Sequence, residues 1–320
     1  MTSIQSRIGY SLMKNRHLLK LQLRPEAWDF STSIEQFRRE CEEGAQKAGK
    51  IPPGIKIVPV EIDGLPAGLA AEWILPAGAE PTPAGGEPVI FYVHGGGYVS
   101  GSCSDHRAVV AKVVQGSGVR ALLYEYRLAP EFPVPAALDD TLVAYRWLLA
   151  QGFAPAQTLV MGESAGGGLA LAALLALRDQ GLPLPAAAVS LSPMTDLTLS
   201  GESHRTRAQA CLSPAGMATV CSAYYAGDHD RRDPYLSPLF GDLRGLPPLL
   251  IIVGDYETMR DDATRFAAKA EAAGVDVTLR VGPEMVHCYP LLAPLFPEAT
   301  EALEEVCAFI QRRVGVVKFL

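Results

Sequence analysis

From about residue 88 to the C-terminus, short apolar runs alternate with longer amphipathic ones. "PVIFYVH" (88–94), "VRALLYEY" (119–126), "QTLVMG" (157–162), "AAAVSLSP" (186–193), "PLLIIVG" (248–254) and "VDVTLRV" (275–281) read as buried strands. Between them, 106–118, 137–152, 164–181 and 261–274 show helical patterning, and the last 25 residues add another helix. Apolar strands alternating with helices predict a mostly parallel sheet covered on both faces, an α/β fold. Ahead of it, "IKIVPVEIDGLPAGLAAEWIL" (55–75) reads as two strands around a Gly-Pro turn. Residues 1–48 and 200–232 fall outside the alternation and look helical and polar. They are expected to cap the carboxyl ends of the strands, where open α/β sheets place their ligands, over a body made of 49–199 and 233–320.

Composition narrows the class. Nearly half of the 320 residues are apolar and a fifth are charged, enough for a sizeable core. A net charge of −7 argues against nucleic-acid partners, which need a basic face. No apolar stretch reaches the roughly 18 residues of a membrane span, and the N-terminus lacks a secretory signal. Ile4, Ile8 and Leu12 stand at helical spacing among basic residues, which reads as a helix packed on the protein's own body rather than on a membrane. The six cysteines form no C-x-x-C pair and no Cys/His cluster with zinc spacing. Free thiols, a reducing cytoplasmic location and no metal are the expectation.

The chemistry sits at strand ends. "LVMGESAGGGLALA" contains Gly162-x-Ser164-x-Gly166 between an apolar strand and a long apolar helix. That setting suits a sharp turn lifting the Ser164 hydroxyl to the mouth of the sheet. A serine nucleophile needs a base. Of the six histidines, His17, His204 and His229 lie outside the sheet region, and His94 and His106 flank a glycine loop. Only His287, in "GPEMVHCYP", follows the final predicted strand. The acid should lie in "VGDYETMRDDA", where Asp261 and Asp262 read as helix-start residues and Asp255 and Glu257 remain. "HGGG" at 94–97 ends a strand with bare backbone, as required for amides aimed at a tetrahedral oxyanion together with Ala165, the residue after Ser164.

With these pieces in order, the chain resembles the hormone-sensitive-lipase-like family of α/β-hydrolases, the bacterial family IV carboxylesterases. The matching motifs are "HGGGYVSGSCSDHR", "YRLAPEFPVPAALDD", "GESAGGG", "LSPMTDLT", "VGDYETMRDD" and "MVHCY". The resemblance implies Ser164 as nucleophile, His287 as base and acid, and Gly96, Gly97 and Ala165 as oxyanion donors. Gly95 is a less secure donor, and His94 with Asp105, His106 and Arg107 would order the glycine loop. The family's usual triad acid is Asp, and Glu257 stands at that position. This departure resembles the monoterpene ε-lactone hydrolase branch and favours Glu257 over Asp255. Glu284, where the family often has Gly, is a second departure.

The reaction implied is hydrolysis of short to medium acyl esters through an acyl-enzyme, with no cofactor. A lactonase or deacetylase would use the same triad, while a dehydratase or a non-catalytic ligand binder on this fold are remoter readings. The pocket should be apolar. Trp28, Phe30 and Phe37, or Tyr224 and Tyr225, either line it or form the cap's own core. Cys288 and Cys103, near the site in sequence, read as buried and inert. Dimers through the edge of the last strand are common in relatives, so a homodimer is an open expectation.

Overall fold

The computed structural model describes residues 2–15, 26–83, 85–208 and 210–315; His17 lies outside them. One eight-stranded sheet organises the chain. Its strands are β1 (Lys56–Val60), β2 (Ala71–Leu75), β3 (Val89–Val93), β4 (Arg120–Tyr124), β5 (Thr158–Glu163), β6 (Ala187–Leu191), β7 (Leu249–Gly254) and β8 (Val277–Gly282). The spatial order is β1-β2-β4-β3-β5-β6-β7-β8. β1 and β2 run antiparallel to their neighbours, and every pairing from β4 to β8 is parallel. Strands β2 to β7 are buried along their whole length, which is why they read as mostly apolar runs.

The described helices are α1 (Ile4–Lys14), α2 (Ile34–Ala48), α3 (Cys103–Ser117), α4 (Ala136–Ala150), α5 (Ala165–Asp179), α6 (Ser203–Thr206), α7 (Met217–Ala226), α8 (Arg260–Ala272) and α9 (Pro297–Val314). Side chains alternate across each strand, so the sheet feeds two cores. Ile90 and Tyr92 face Val110 and Val114 of α3 and Val306 and Ile310 of α9. Phe91 and Val93 face the other way, into a core with Leu142 of α4, Leu169 of α5 and Phe266 of α8.

The segments outside the alternation interlock. Ala27 and Ala215 form a parallel bridge, and Trp28 N–H donates to Ala215 O at 2.7 Å. Phe30 and Tyr224 stack edge to face, as do Trp28 and Phe37. Among the described residues the insert is less helical than expected, with only α6 and α7 inside it, and α7 is apolar, burying Val220, Cys221 and Tyr225. Helix α1 departs further from expectation. It lies on the body, but Ile4, Ile8 and Leu12 are 75%, 56% and 60% exposed. The docked face is polar instead. Ser6 Oγ donates to Glu298 Oε2 of α9 at 2.5 Å and Ser3 Oγ to the same atom at 2.8 Å, while Tyr10 Oη donates to Ala210 O at 3.0 Å.

Candidate functional site

Three strand ends meet at one cavity of about 920 Å³, lined among others by Gly95–Gly97, Glu163, Ser164, Met194, His204, Cys221, Thr258, Met259 and His287. Ser164 sits between β5 and α5 with φ 56° and ψ −123°, a conformation costing about 1–3 kcal/mol that only a tightly constrained turn maintains. The flanking glycines make room for that turn. A Cβ on Gly162 would lie 2.5 Å from Gly166 O, and one on Gly166 would lie 2.2 Å from His94 O and Val93 O. Ser164 N–H is anchored on Leu191 O at 2.8 Å, so β6 fixes the elbow from the other side. Among the described residues Ser164 Oγ has no hydrogen-bond partner; catalytic hydrogen bonds commonly tighten only with substrate.

His287 lies after β8 and Glu257 after β7, and the two meet at 2.5 Å between Nδ1 and Oε2. Glu257 is fully buried. Its Oε1 accepts from Gly254 N–H at 2.6 Å and from Ser192 Oγ at 2.7 Å, and Ser192 Oγ in turn accepts from Cys288 N–H at 2.9 Å. Burial opposes protonation of His287, but Cys288 and Glu257 outweigh it and hold the imidazole well above 6.5. Burial also raises the Cys288 thiol, which is then neutral near pH 7, so the lasting cause is the Glu257 carboxylate. Asp255 has other partners, Arg207 at 2.9 Å and Arg260 at 3.1 Å.

The glycine loop is held by a second cluster. Gly95 N–H donates to Glu163 Oε1 at 2.5 Å, so this amide points away from any oxyanion. The amides of Gly96, Gly97 and Ala165 have no partner among the described residues. Gly96 and Gly97 adopt φ 113° and 67°, and a Cβ on Gly96 would meet Ser100 O at 2.2 Å. His106 bridges two carboxylates, Asp105 at Nδ1 and Glu163 at Nε2, the latter at 2.9 Å. Burial alone would lower its pKa, but those carboxylates raise it to about 10, keeping it an imidazolium. His94 is the opposite case. Burial, with the nearby His106 charge, lowers it to about 4; its Nδ1 holds Gly95 O at 2.8 Å, and its ring stacks on Tyr126.

Several expectations need correction. Arg107 does not order the loop; it forms a two-pronged ion pair with Glu72 on β2, because the helical turn points it back over the sheet. Asp262 is more than a helix-start residue. It is fully buried and accepts from Thr195 N–H and Asp196 N–H at 2.9 Å each, and it pairs with His204 at 2.9 Å. Of the two readings for Trp28, Phe30, Phe37, Tyr224 and Tyr225, packing holds and lining does not, since none of them lines the cavity. They pack on one another and on the body, Tyr225 stacking on Tyr98 at 3.7 Å. Cys103 is buried as expected, against Ala70 O and Leu123 O, whereas Cys288 is only half-buried and lines the cavity with Cys211 and Cys221.

Ser192, Glu163 and Tyr126 escaped the sequence reading. Glu163 was legible in principle, being the variable residue of the Ser164 turn. Ser192 and Tyr126 carry no spacing signal, since their roles arise only when β6 meets β7 and when β4 meets β3. Among the described residues no group of three or more His, Cys, Asp or Glu side chains is arranged to hold a metal.

The profile of the alpha/beta hydrolase fold matches residues 90–291. An acetyl-hydrolase of Streptomyces hygroscopicus is 43% identical over 247 residues, 77% of this chain and 80% of that protein. An esterase of Acinetobacter venetianus is 36% identical, over 80% of this chain and 82% of its own length. A crystal structure of an esterase from the bacterial hormone-sensitive lipase family superposes with a TM-score of 0.85 at 37% identity, covering 98% of this chain and 100% of that one. The strand order, the Ser164 turn and these likenesses agree, and the chain belongs to the α/β-hydrolase family, in its hormone-sensitive-lipase branch.

Proposed function

We propose that the chain is a serine carboxylic ester hydrolase with Ser164 as nucleophile, His287 as general base and acid, and Glu257 as the acid that orients the histidine. The observation that carries this is the buried Glu257–His287 pair opening onto the cavity that holds Ser164. His287 Nε2 takes the Ser164 proton as Oγ attacks the ester carbonyl. Gly96, Gly97 and Ala165 amides receive the oxyanion, the alcohol leaves with the proton from His287, and water activated by the same nitrogen releases the acid. Glu257 stabilises the imidazolium formed between these steps. Glu163, His106, Asp105, His94 and Gly95 position the loop and do not touch substrate.

Residues 1–48 and 200–232 act as the cap over a domain made of 49–199 and 233–320. The likeness to an acetyl-hydrolase and an esterase supports short acyl groups. Glu257 in place of Asp, the feature that resembles the lactone hydrolase branch, brings lactones into the substrate set. β8 leaves one sheet edge open, the edge through which a homodimer would pair. Cys41, Cys103, Cys211, Cys221 and Cys288 are free thiols, which suits a reducing cytoplasm. No described helix is long and apolar enough to cross a membrane.

The test is turnover of p-nitrophenyl esters from acetyl to palmitoyl. The reading expects hydrolysis peaking at short chains and abolished in Ser164→Ala. Folded protein that hydrolyses none of them overturns it.

A further inference from the structure

Beside the reacting groups, the cavity is walled by one face of α3, carrying Asp105, His106, Ala108, Val109 and Lys112. The spacing i, i+1, i+3, i+4, i+7 places all five on one side of the helix. The charges at its two ends differ in kind. At the inner end the carboxylates of Asp105 and Glu163 are both spent on His106. At the outer end Lys112 is part-buried, and no carboxylate among the described residues pairs with it. Its Nζ donates to Ala293 O at 2.6 Å and Leu291 O at 3.4 Å. An ammonium has three donors, so one remains, on a side chain already held in place. Lys50, at the end of α2, adds a second ammonium to the rim of the same cavity. A part-buried cation without a counter-ion is costly and favours an anion. Burial lowers the Lys112 pKa, in keeping with that missing partner.

We propose that Lys112 forms an anion subsite in the active cavity, so that the protein accepts esters bearing a free carboxylate at the far end of the molecule. This rests on the ester-hydrolase reading and adds a substrate class to it. Two carboxylates around one imidazolium leave the inner end net negative, which repels a substrate carboxylate there and directs it outward to Lys112. The reach is suitable. Six residues of helix from His106 to Lys112 span about 9 Å at roughly 1.5 Å per residue, a distance that an extended chain of about eight atoms laid along this face covers. The carboxylate can belong to the acyl part, as in a dicarboxylic acid monoester, or to the alcohol part, as in an acylated hydroxy acid. Lys112 chemistry is the same for both.

Two matched pairs separate the sources: monomethyl suberate against methyl octanoate, and 6-acetoxyhexanoate against hexyl acetate. Hydrolysis is followed by titration for the native protein and Lys112→Met. In at least one pair, Lys112→Met should lower kcat/KM for the charged member by about tenfold or more, as expected for a hydrogen bond to a charged group, and leave its neutral partner within twofold. In the native protein, added salt should raise KM for that charged member alone. If the methionine variant does not fold, this salt response decides, with Lys112→Arg expected to keep the charged substrate. Equal loss for charged and neutral members, or no salt effect specific to the charged one, overturns the subsite. Failure to hydrolyse even the neutral esters would instead sink the ester-hydrolase reading itself.

Discussion

Glu257 and Asp255 stand two positions apart on one loop, yet their surroundings give them opposite roles. Glu257 is sealed against His287, Ser192 and Gly254, whereas Asp255 faces two guanidiniums at the edge of the loop. Glu257→Ala should therefore lower kcat by about 10²–10⁴-fold, while Asp255→Ala stays within a few-fold, as read by p-nitrophenyl butyrate turnover. The carboxylate also sets the pH response. It holds His287 above its ordinary 6.5, and the base works only when deprotonated, so activity falls as pH drops through that raised value. Glu257→Gln removes the cause, and the acidic limb of the kcat/KM profile should move to lower pH even as the rate drops. Gly97→Ala probes the loop. Its Cβ would lie 2.7 Å from Cys221 Sγ at φ 67°, displacing an amide whose loss costs about 10²–10³ in rate. At this scale the sequence was most informative where chemistry forces a spacing, as at Ser164 and the glycine loop. It was silent on Ser192 and saw only the helix-start role of Asp262, because their further partners come from segments distant in the sequence.

Among the elements, β3 and β5 were legible because burial on both faces leaves their central residues apolar. Helix α1 was legible only in half. Its periodicity shows an apolar stripe, but not that a polar face can dock more firmly. Glu298 offers a carboxylate to Ser3 and Ser6, and this pairing turns Ile4, Ile8 and Leu12 outward. Burial alone would raise the Glu298 carboxyl, but the bonds from Ser6 and Ser3 outweigh it and pull it down to about 2. The folded-state value lies below the ordinary 4.5, so the docking contribution is full above that pH and is lost as pH falls toward about 2. Glu298→Ala should release α1. Amide hydrogen exchange in residues 4–14 should rise while exchange in β3 and β5 does not change. Unchanged exchange in α1 would show that Tyr10 and Met13 suffice to hold it.

At the scale of the molecule, the sheet brings Ser164, His287 and Glu257 from the ends of β5, β8 and β7 to one cavity, and the N-terminal segment and the insert meet at the Ala27–Ala215 bridge. The alternation of strands and helices made the body readable. How the two outlying segments meet was not readable, because a single backbone bridge and a few aromatic edges leave no periodic trace. A cavity of about 920 Å³ is at the upper end of small-molecule sites, roughly 300–1,000 Å³, with ample room for an acyl ester. The account stands or falls on a covalent acyl group at Ser164. The measurement is mass spectrometry of the protein acid-quenched during steady-state turnover of p-nitrophenyl butyrate, followed by peptide mapping. It should show one butyryl group on the peptide containing Ser164 in the native protein and none in Ser164→Ala. A butyryl group on any other residue, or turnover persisting in Ser164→Ala, would contradict it.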